Sequence, residues 1–320
     1  REETVAQFGR RRLGQEFVDV MLDSMVSGIY AGDVNRLSIN AAFPRVPLME
    51  KQYGGLIKAL NKRRREAQLA RRRGEKKETP TAGPAGVLHS FEGGMGQMIR
   101  TLHDQLGEQV NTGSRVERVR RLSRGFGVTV NGEEYDVEAV VLAVPGPAAQ
   151  TLLTGLADDA ATALGSIHIA GVHVVQLGYE KGQIGLDLDG FGALIPRKEG
   201  LRMLGSIWSS STFAHRAPEG HVLITTMVGG RHDPVANDLG DAELLEVVRQ
   251  EMEPFYRVDG APALAKLFRW PAGIPQYELG HMDAVAAAER DVQKHPGLFL
   301  TGNTVAGVSF NQCIAHSEKI

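Results

Sequence analysis

The chain has 320 residues, 42% of them hydrophobic, and a formal net charge of −2. That length supports a substantial buried core, and that charge gives no general argument for nucleic acid or an acidic surface as a partner. One cysteine, Cys313, excludes an intrachain disulfide and any metal cluster built on several thiolates, which fits a reducing compartment.

In "AQFGRRRLGQEFVDVMLDSMVSGIY", the residues Phe8, Phe17, Met21, Leu22, Met25 and Ile29 recur at the spacing of an amphipathic helix, which Gly28 and Gly32 are expected to interrupt. "LSINAAFPRV" offers Ser38 as an N-cap and Pro44 as a stop. "LMEKQYGGLIKALNKRRREAQLARRR" resumes a helical pattern and dissolves into "GEKKETPTAGPAG", a flexible loop by composition. Between Asn61 and Gly86 stand nine Lys or Arg against three acidic residues, so the basic character is confined to this segment. It has no aromatic residue to stack on bases, and a solvated helix end followed by a loop accounts for it better than a polynucleotide site.

From Val110 the period changes to two. "RVERVRRL", "FGVTV" and "YDVEAVVLAVP" read as strands, with Asn131-Gly132 as a hairpin turn suited to positive φ. "SIHIAGVHVVQLGYE", "RMLGSIW", "HVLITTMVGG" and "LAKLFRW" continue as strands, and "GDAELLEVVRQEMEPFY" reads as a helix capped by Asp241. Near the C-terminus "PGLFLTGNTVAGVSFNQC" reads as a strand that empties through glycines into a helix start, an anion-binding corner by its free N–H groups and helix dipole. The whole is a mixed α/β chain with a helical front and a sheet-rich remainder.

No HExxH, GxSxG, GxxxxGK or GxGxxG motif occurs. His168 and His173 lie an odd number of residues apart on one strand, hence on opposite faces, which argues against a metal site shared between them. Cys313, just inside a helix, invites a lowered pKa, but without a clear base partner a small buried residue is the better reading. No run approaches the roughly 18 apolar residues of a spanning helix, and no signal-peptide order is present. The chain starts at Arg1 rather than Met and is expected to be a segment of something longer.

Several stretches taken together carry a resemblance: "SGIYAGDVNRLSINAAFPRV", "SFEGGMGQMI", "GFGALIPRKEG", "LGSIWSSSTFAHRAPEGH", "IPQYELGH" and "PGLFLTGNTVAGVSFNQCIA". In this order, from about Ser27 to the C-terminus, they resemble the protoporphyrinogen oxidase family of the monoamine-oxidase-like flavoproteins. The resemblance implies a non-covalent FAD and stepwise oxidation of protoporphyrinogen IX to protoporphyrin IX by molecular oxygen, with hydride passing to flavin N5. Chemistry carried by a cofactor leaves the protein to orient and shield, which agrees with the missing nucleophile, metal site and acid/base dyad.

Carried over position by position, Phe191, Gly192 and Leu194 would line a tetrapyrrole pocket, with Met227 and Val228 on the opposite wall and Gly28 where a helix end meets the substrate. From the residues alone, Leu194, Met227 and Val228 are equally core positions of adjacent strands. Val116 would contact the adenine half of the flavin through its backbone; Gly302, Asn303, Val308, Ser309 and Phe310 would stand beside the ring system. The implied division is a helical segment over 1–60, a flexible basic linker over 61–88, parts of an FAD-binding domain over 89–150 and 281–320, and a substrate-binding domain over 151–280. The family's opening strand with GxGxxG, and an arginine that anchors a propionate, find no match in this chain. Two other readings stay open: coproporphyrinogen III oxidation, and an inactive truncated binding module; another amine oxidase would show an aromatic cage, and none is evident. A membrane surface and a second copy of the chain are candidate partners, nucleic acid is not, and the implied location is cytoplasmic, peripheral on the cell membrane or on an organelle membrane. Phe8, Phe17, Met21, Met25 and Ile29 with Arg10 to Arg12 have the pattern of an interfacial helix.

Overall fold

The computed structural model describes residues 2–73 and 88–320. The chain forms two compact units, one from the N-terminal segment up to Ala42 together with Ser114–Ile320, the other from Phe43–Gly113.

In the first unit the helix Val5–Leu13 starts on a reciprocal cap between Thr4 and Gln7 and stops at Gly14, whose φ of 90° only glycine adopts freely. Gln15–Phe17, a π-helical turn Val18–Leu22 and Asp23–Tyr30 then follow without a break. The expected interruption at Gly28 is corrected: that residue lies inside Asp23–Tyr30, and the helix ends at Ala31, in the left-handed region at φ 48°. Phe8 is buried, so it leaves the exposed apolar stripe, while Phe17, Met21 and Ile29 stay on the surface. Ser38 caps as expected, its hydroxyl accepting from the Ala41 N–H at 3.3 Å.

Ten strands follow among the described residues: β1 (Val116–Arg121), β2 (Phe126–Val130), β3 (Glu133–Val137), β4 (Val140–Leu142), β5 (Ile169–Glu180), β6 (Gly192–Leu194), β7 (Met203–Trp208), β8 (His221–Gly229), β9 (Leu264–Pro275) and β10 (Leu298–Leu300). They make an antiparallel sheet β1-β2-β3, a parallel pair β4 and β10, and a five-stranded antiparallel sheet in the order β6-β7-β8-β5-β9. The β2–β3 turn is the expected one, with Asn131 at φ 50° and Gly132 at 84°. "YDVEAVVLAVP" divides between two sheets, because β3 pairs with β2 whereas β4 pairs with the distant β10.

Two apolar cores result. One joins Val119, Phe126, Leu142, Leu298 and Leu300 of the smaller sheets to helices Gly146–Leu153, Asp158–Gly165 and His281–Val292. The other joins the large sheet to helix Asp241–Tyr256. The N-cap of that helix is Gly240 rather than Asp241, whose carboxylate accepts from Arg269 Nε at 2.6 Å instead.

In the second unit, helices Arg45–Tyr53 and Leu56–Arg72 are separated by Gly54 at φ 73°, and Gly96–Leu106 forms a third. The basic segment is thus helical as far as Arg72, which corrects the linker expected from residue 61. The loop expected over "GEKKETPTAGPAG" lies outside the described residues. No helix among the described residues is long and apolar enough to cross a membrane.

Candidate functional site

Side chains alternate between the faces of a strand, and helix Asp241–Tyr256 covers only one face of the large sheet. Against it Leu244, Val248, Met252 and Tyr256 are fully buried, as are Val175 and Tyr179 of β5 and Ile224 and Val228 of β8. The alternate positions, Val174, Gln176 and Gly178 of β5 and Leu223, Thr225 and Met227 of β8, point to the other face. There the register lines up one row across all five strands: Leu194 opposite Gly205, Gly205 opposite Met227, Met227 opposite Val174, and Val174 opposite Phe268. Leu194, Ile207, Phe268 and Trp270 stand on this face with 52%, 43%, 44% and 59% of their surface exposed. A contiguous exposed apolar patch of this kind marks a ligand or partner surface.

Three of the sequence-derived pocket residues, Gly192, Leu194 and Met227, share this face. Val228 does not: next to Met227 on the same strand, it turns into the helix-covered core at 0% exposure, which corrects its expected place in the wall. Phe191 lies just before β6, out of step with Leu194, with its carbonyl accepting from the Trp208 N–H and its ring 66% exposed. Gly192 has φ 145°, and a Cβ there would fall 1.9 Å from the Ser206 carbonyl oxygen, so glycine is what lets β6 approach β7.

Gly28 meets the same face from the helix Asp23–Tyr30. A Cβ on it would lie 2.5 Å from Leu194 Cδ2, so the absent side chain leaves Leu194 its present rotamer. The helix is tied to the sheet by Arg231 N–H donating to the Ala31 carbonyl at 2.8 Å and by the Gln276 amide donating to the Tyr30 carbonyl at 2.8 Å.

The C-terminal corner is built where β4 and β10 end side by side. In open α/β sheets the crevice beyond the carboxyl ends of parallel strands is where ligands sit. Gly302 follows β10 at φ 102°; a Cβ there would project into open space, with only Ala143 within 4 Å. Two short helices occupy the place of the one expected: Asn303–Ala306, then Phe310–Ser317 after Gly307 at φ 108°. Ser309 caps the second through a reciprocal bond with Gln312, so that N-terminus is partly satisfied by its own side chains. Val308 is half-buried, and Ser309 and Phe310 face solvent. Val116 opens β1, the edge strand of its sheet, with its backbone paired on one side to Val130. The Cys313 thiol donates to the Gly307 carbonyl, and burial pushes its pKa up rather than down.

Sequence reasoning assigned no role to Tyr277 or His281, although "IPQYELGH" contains both. The Tyr277 hydroxyl donates to the Asn303 carbonyl at 2.5 Å, linking the exit of β9 to the corner after β10. Its ring stacks on His281 with centroids 3.9 Å apart, and Tyr30 packs on it at 5.7 Å. Burial raises the Tyr277 pKa and lowers that of His281 to about 4, so both are neutral near pH 7. The chemistry of the corner therefore suits a ring system more than a metal, and no group of metal-ligating side chains occurs among the described residues. Glycine at 302, backbone N–H groups and an exposed aromatic fit the ring half of a flavin; nothing in this chain matches a pyrophosphate loop.

A separate cavity of about 300 Å³ lies at the end of the sheet, lined by Ser27, Arg197, Arg202, His232 and Asp233 among others. Arg197 donates to His232 Nδ1 at 2.6 Å and Arg202 pairs with Asp233 at 3.2 Å. Burial chiefly, opposed by Asp33, holds His232 below its ordinary pKa.

The family described as "Flavin containing amine oxidoreductase" matches residues 1–318. The chain is 34% identical over 338 residues to "Protoporphyrinogen oxidase 1, chloroplastic" of Spinacia oleracea, covering 98% of this chain and 58% of the relative. It is 27% identical over 316 residues to "Coproporphyrinogen III oxidase" of Bacillus subtilis (strain 168), covering 98% of this chain and 65% of the relative. The chain thus spans about three fifths of the length of these relatives. A solved structure from Exiguobacterium sp. 255-15 shares the fold at TM-score 0.83 and 21% identity, over 100% of this chain and 66% of that one. Reduced UDP-galactopyranose mutase shares it at TM-score 0.68 and 15% identity, over 95% and 62%. With the family match running almost from end to end, the chain belongs to the flavin-containing amine oxidoreductases.

Proposed function

We propose that this chain supplies the substrate surface and the ring-side half of the cofactor site of an FAD-dependent protoporphyrinogen oxidase. The observation that carries the reading is the single apolar row from Leu194 to Phe268, open on one face and narrowed at one end by Gly28. A large flat apolar substrate needs such a plane, and relatives bearing that name match nearly the whole chain. Bound FAD supplies the two-electron oxidation, with molecular oxygen as final acceptor. The protein's own groups bind, orient and shield: Leu194, Met227 and Val174 offer the contact plane, and Tyr277 holds the Asn303 loop at the end of β9. No acid or base is required of them.

The test is oxidation of protoporphyrinogen IX by the intact flavoprotein, followed by porphyrin fluorescence and by bleaching of the flavin band without oxygen. Preferential turnover of coproporphyrinogen III would select the alternative that the Bacillus subtilis relative supports. A colourless protein that gains no flavin on incubation would instead favour a binding module. Peripheral membrane attachment through the exposed Phe17, Met21 and Ile29 belongs to the same proposal. Failure to float with anionic liposomes at low salt would remove it.

A further inference from the structure

The sheet register also decides which charges share the open face. Beside the apolar row runs a second row: Gly192 opposite Ile207, Ile207 opposite Thr225, Thr225 opposite Gln176, and Gln176 opposite Lys266. Same-face neighbours along a strand are two residues, about 7 Å, apart. The rows on either side add Val172 and Trp270, and Leu223, Gly178 and Leu264, none of them charged. At the far ends of their strands Glu180 and His221 complete the face, and the Glu180 carboxylate is taken up by the cap of the turn Lys181–Gln183. Among the described strand residues of this face, Lys266 is therefore the one Lys or Arg. It is exposed and makes no ion pair among the described residues. Its aliphatic stem suits the apolar surface while its ammonium head needs an anion or water, and directly opposite it the Gln176 amide offers N–H donors of the same use.

We propose that Lys266, with Gln176 beside it, anchors a carboxylate of the substrate and so sets which edge of a flat apolar ligand turns toward β9. This rests on reading the open face as the tetrapyrrole surface. An apolar plane alone would accept the ligand in any in-plane rotation. One ammonium at one edge removes that degeneracy, because only orientations that bring a carboxylate to it gain a charge-assisted bond.

The experiment is a fluorescence titration of the intact flavoprotein with protoporphyrin IX and with its dimethyl ester, which keeps the ring and lacks the charges. The wild type is expected to bind the acid up to about fivefold more tightly than the ester at low salt, the ceiling for an exposed ion pair, and the gap should close as salt is added. Lys266→Met should bring acid and ester level without changing ester affinity, and Lys266→Arg should restore the preference. An acid preference that survives in Lys266→Met, or a wild type that never distinguishes the two, would overturn the anchor. Leu194→Ser separates this from the parent reading. It should weaken acid and ester equally, and if it weakens neither, the open face is not the tetrapyrrole surface.

Discussion

Gly28→Ala probes the contact between helix and sheet with little cost elsewhere. The added methyl would stand 2.5 Å from Leu194 Cδ2 and no nearer than 3.7 Å to that residue's Cγ and Cδ1. Carbon atoms in contact prefer about 3.5–4.0 Å, so the leucine tip must retreat by roughly 1 Å or change rotamer. Leu194 is 52% exposed and has room to do so; an off-rotamer side chain costs about 0.5–1.5 kcal/mol. Replacing an interior helical glycine by alanine returns about 1 kcal/mol of helix propensity. The two terms nearly cancel, and the melting temperature should move by only a few degrees. The plane on which the substrate lies, however, loses its present Leu194 position. We expect KM for the porphyrinogen to rise by about tenfold with the flavin content unchanged, and the double variant Gly28→Ala/Leu194→Ala to show strong non-additivity, since one side chain mediates both effects. Unchanged KM, or strictly additive single effects, would refute the coupling of Gly28 to the site through Leu194.

The neighbours Met227 and Val228 should part company. Val228→Ala should cost about 2 kcal/mol of stability, a buried aliphatic truncation beside helix Asp241–Tyr256, and spare KM; Met227→Ala should raise KM and spare the melt, with thermal scans and kinetics on both variants as the check. Tyr277→Phe leaves the Asn303 carbonyl without its donor, a loss of about 1–3 kcal/mol, and hydrogen exchange should quicken over Asn303–Ala306 while helix Asp241–Tyr256 keeps its protection. His281 is held at about pKa 4 by burial, below its ordinary 6.5. The unfolded chain therefore takes up that proton first, so the stability present above about pH 6.5 is lost as the pH falls toward 4, by at most roughly 3 kcal/mol. Denaturant unfolding at about pH 7 and pH 4.5 should show a smaller acid loss in His281→Asn than in the wild type; equal losses would contradict the assignment.

Local chemistry was legible wherever it is decided locally. The Asn131-Gly132 hairpin needs positive φ at two adjacent positions and the residues say so. The Ser38 cap follows from a hydroxyl placed before a helical run. Alternation along β5 and β8 was legible as well, and followed strictly it already separates Met227 from Val228. The family resemblance named both as wall residues, and only the position of helix Asp241–Tyr256 shows which one is buried. Gly28 was misread for a similar reason: glycine is a helix breaker by propensity, a term of about 1 kcal/mol that packing against Leu194 overrides.

What the chain's own residues determined, then, is the sequence of elements, the mixed α/β class and the absence of nucleophile and phosphate-loop motifs, because these depend on neighbours within a few positions. Tertiary structure alone decided that Leu194, Met227 and Val174 form one plane, that Lys266 is the cation at its edge, and that Tyr277 reaches Asn303. These are pairings across strands and between distant elements, set by register and by which face each helix covers. No local pattern encodes them, since a shift of one residue in any strand would send every side chain in that strand to the opposite face.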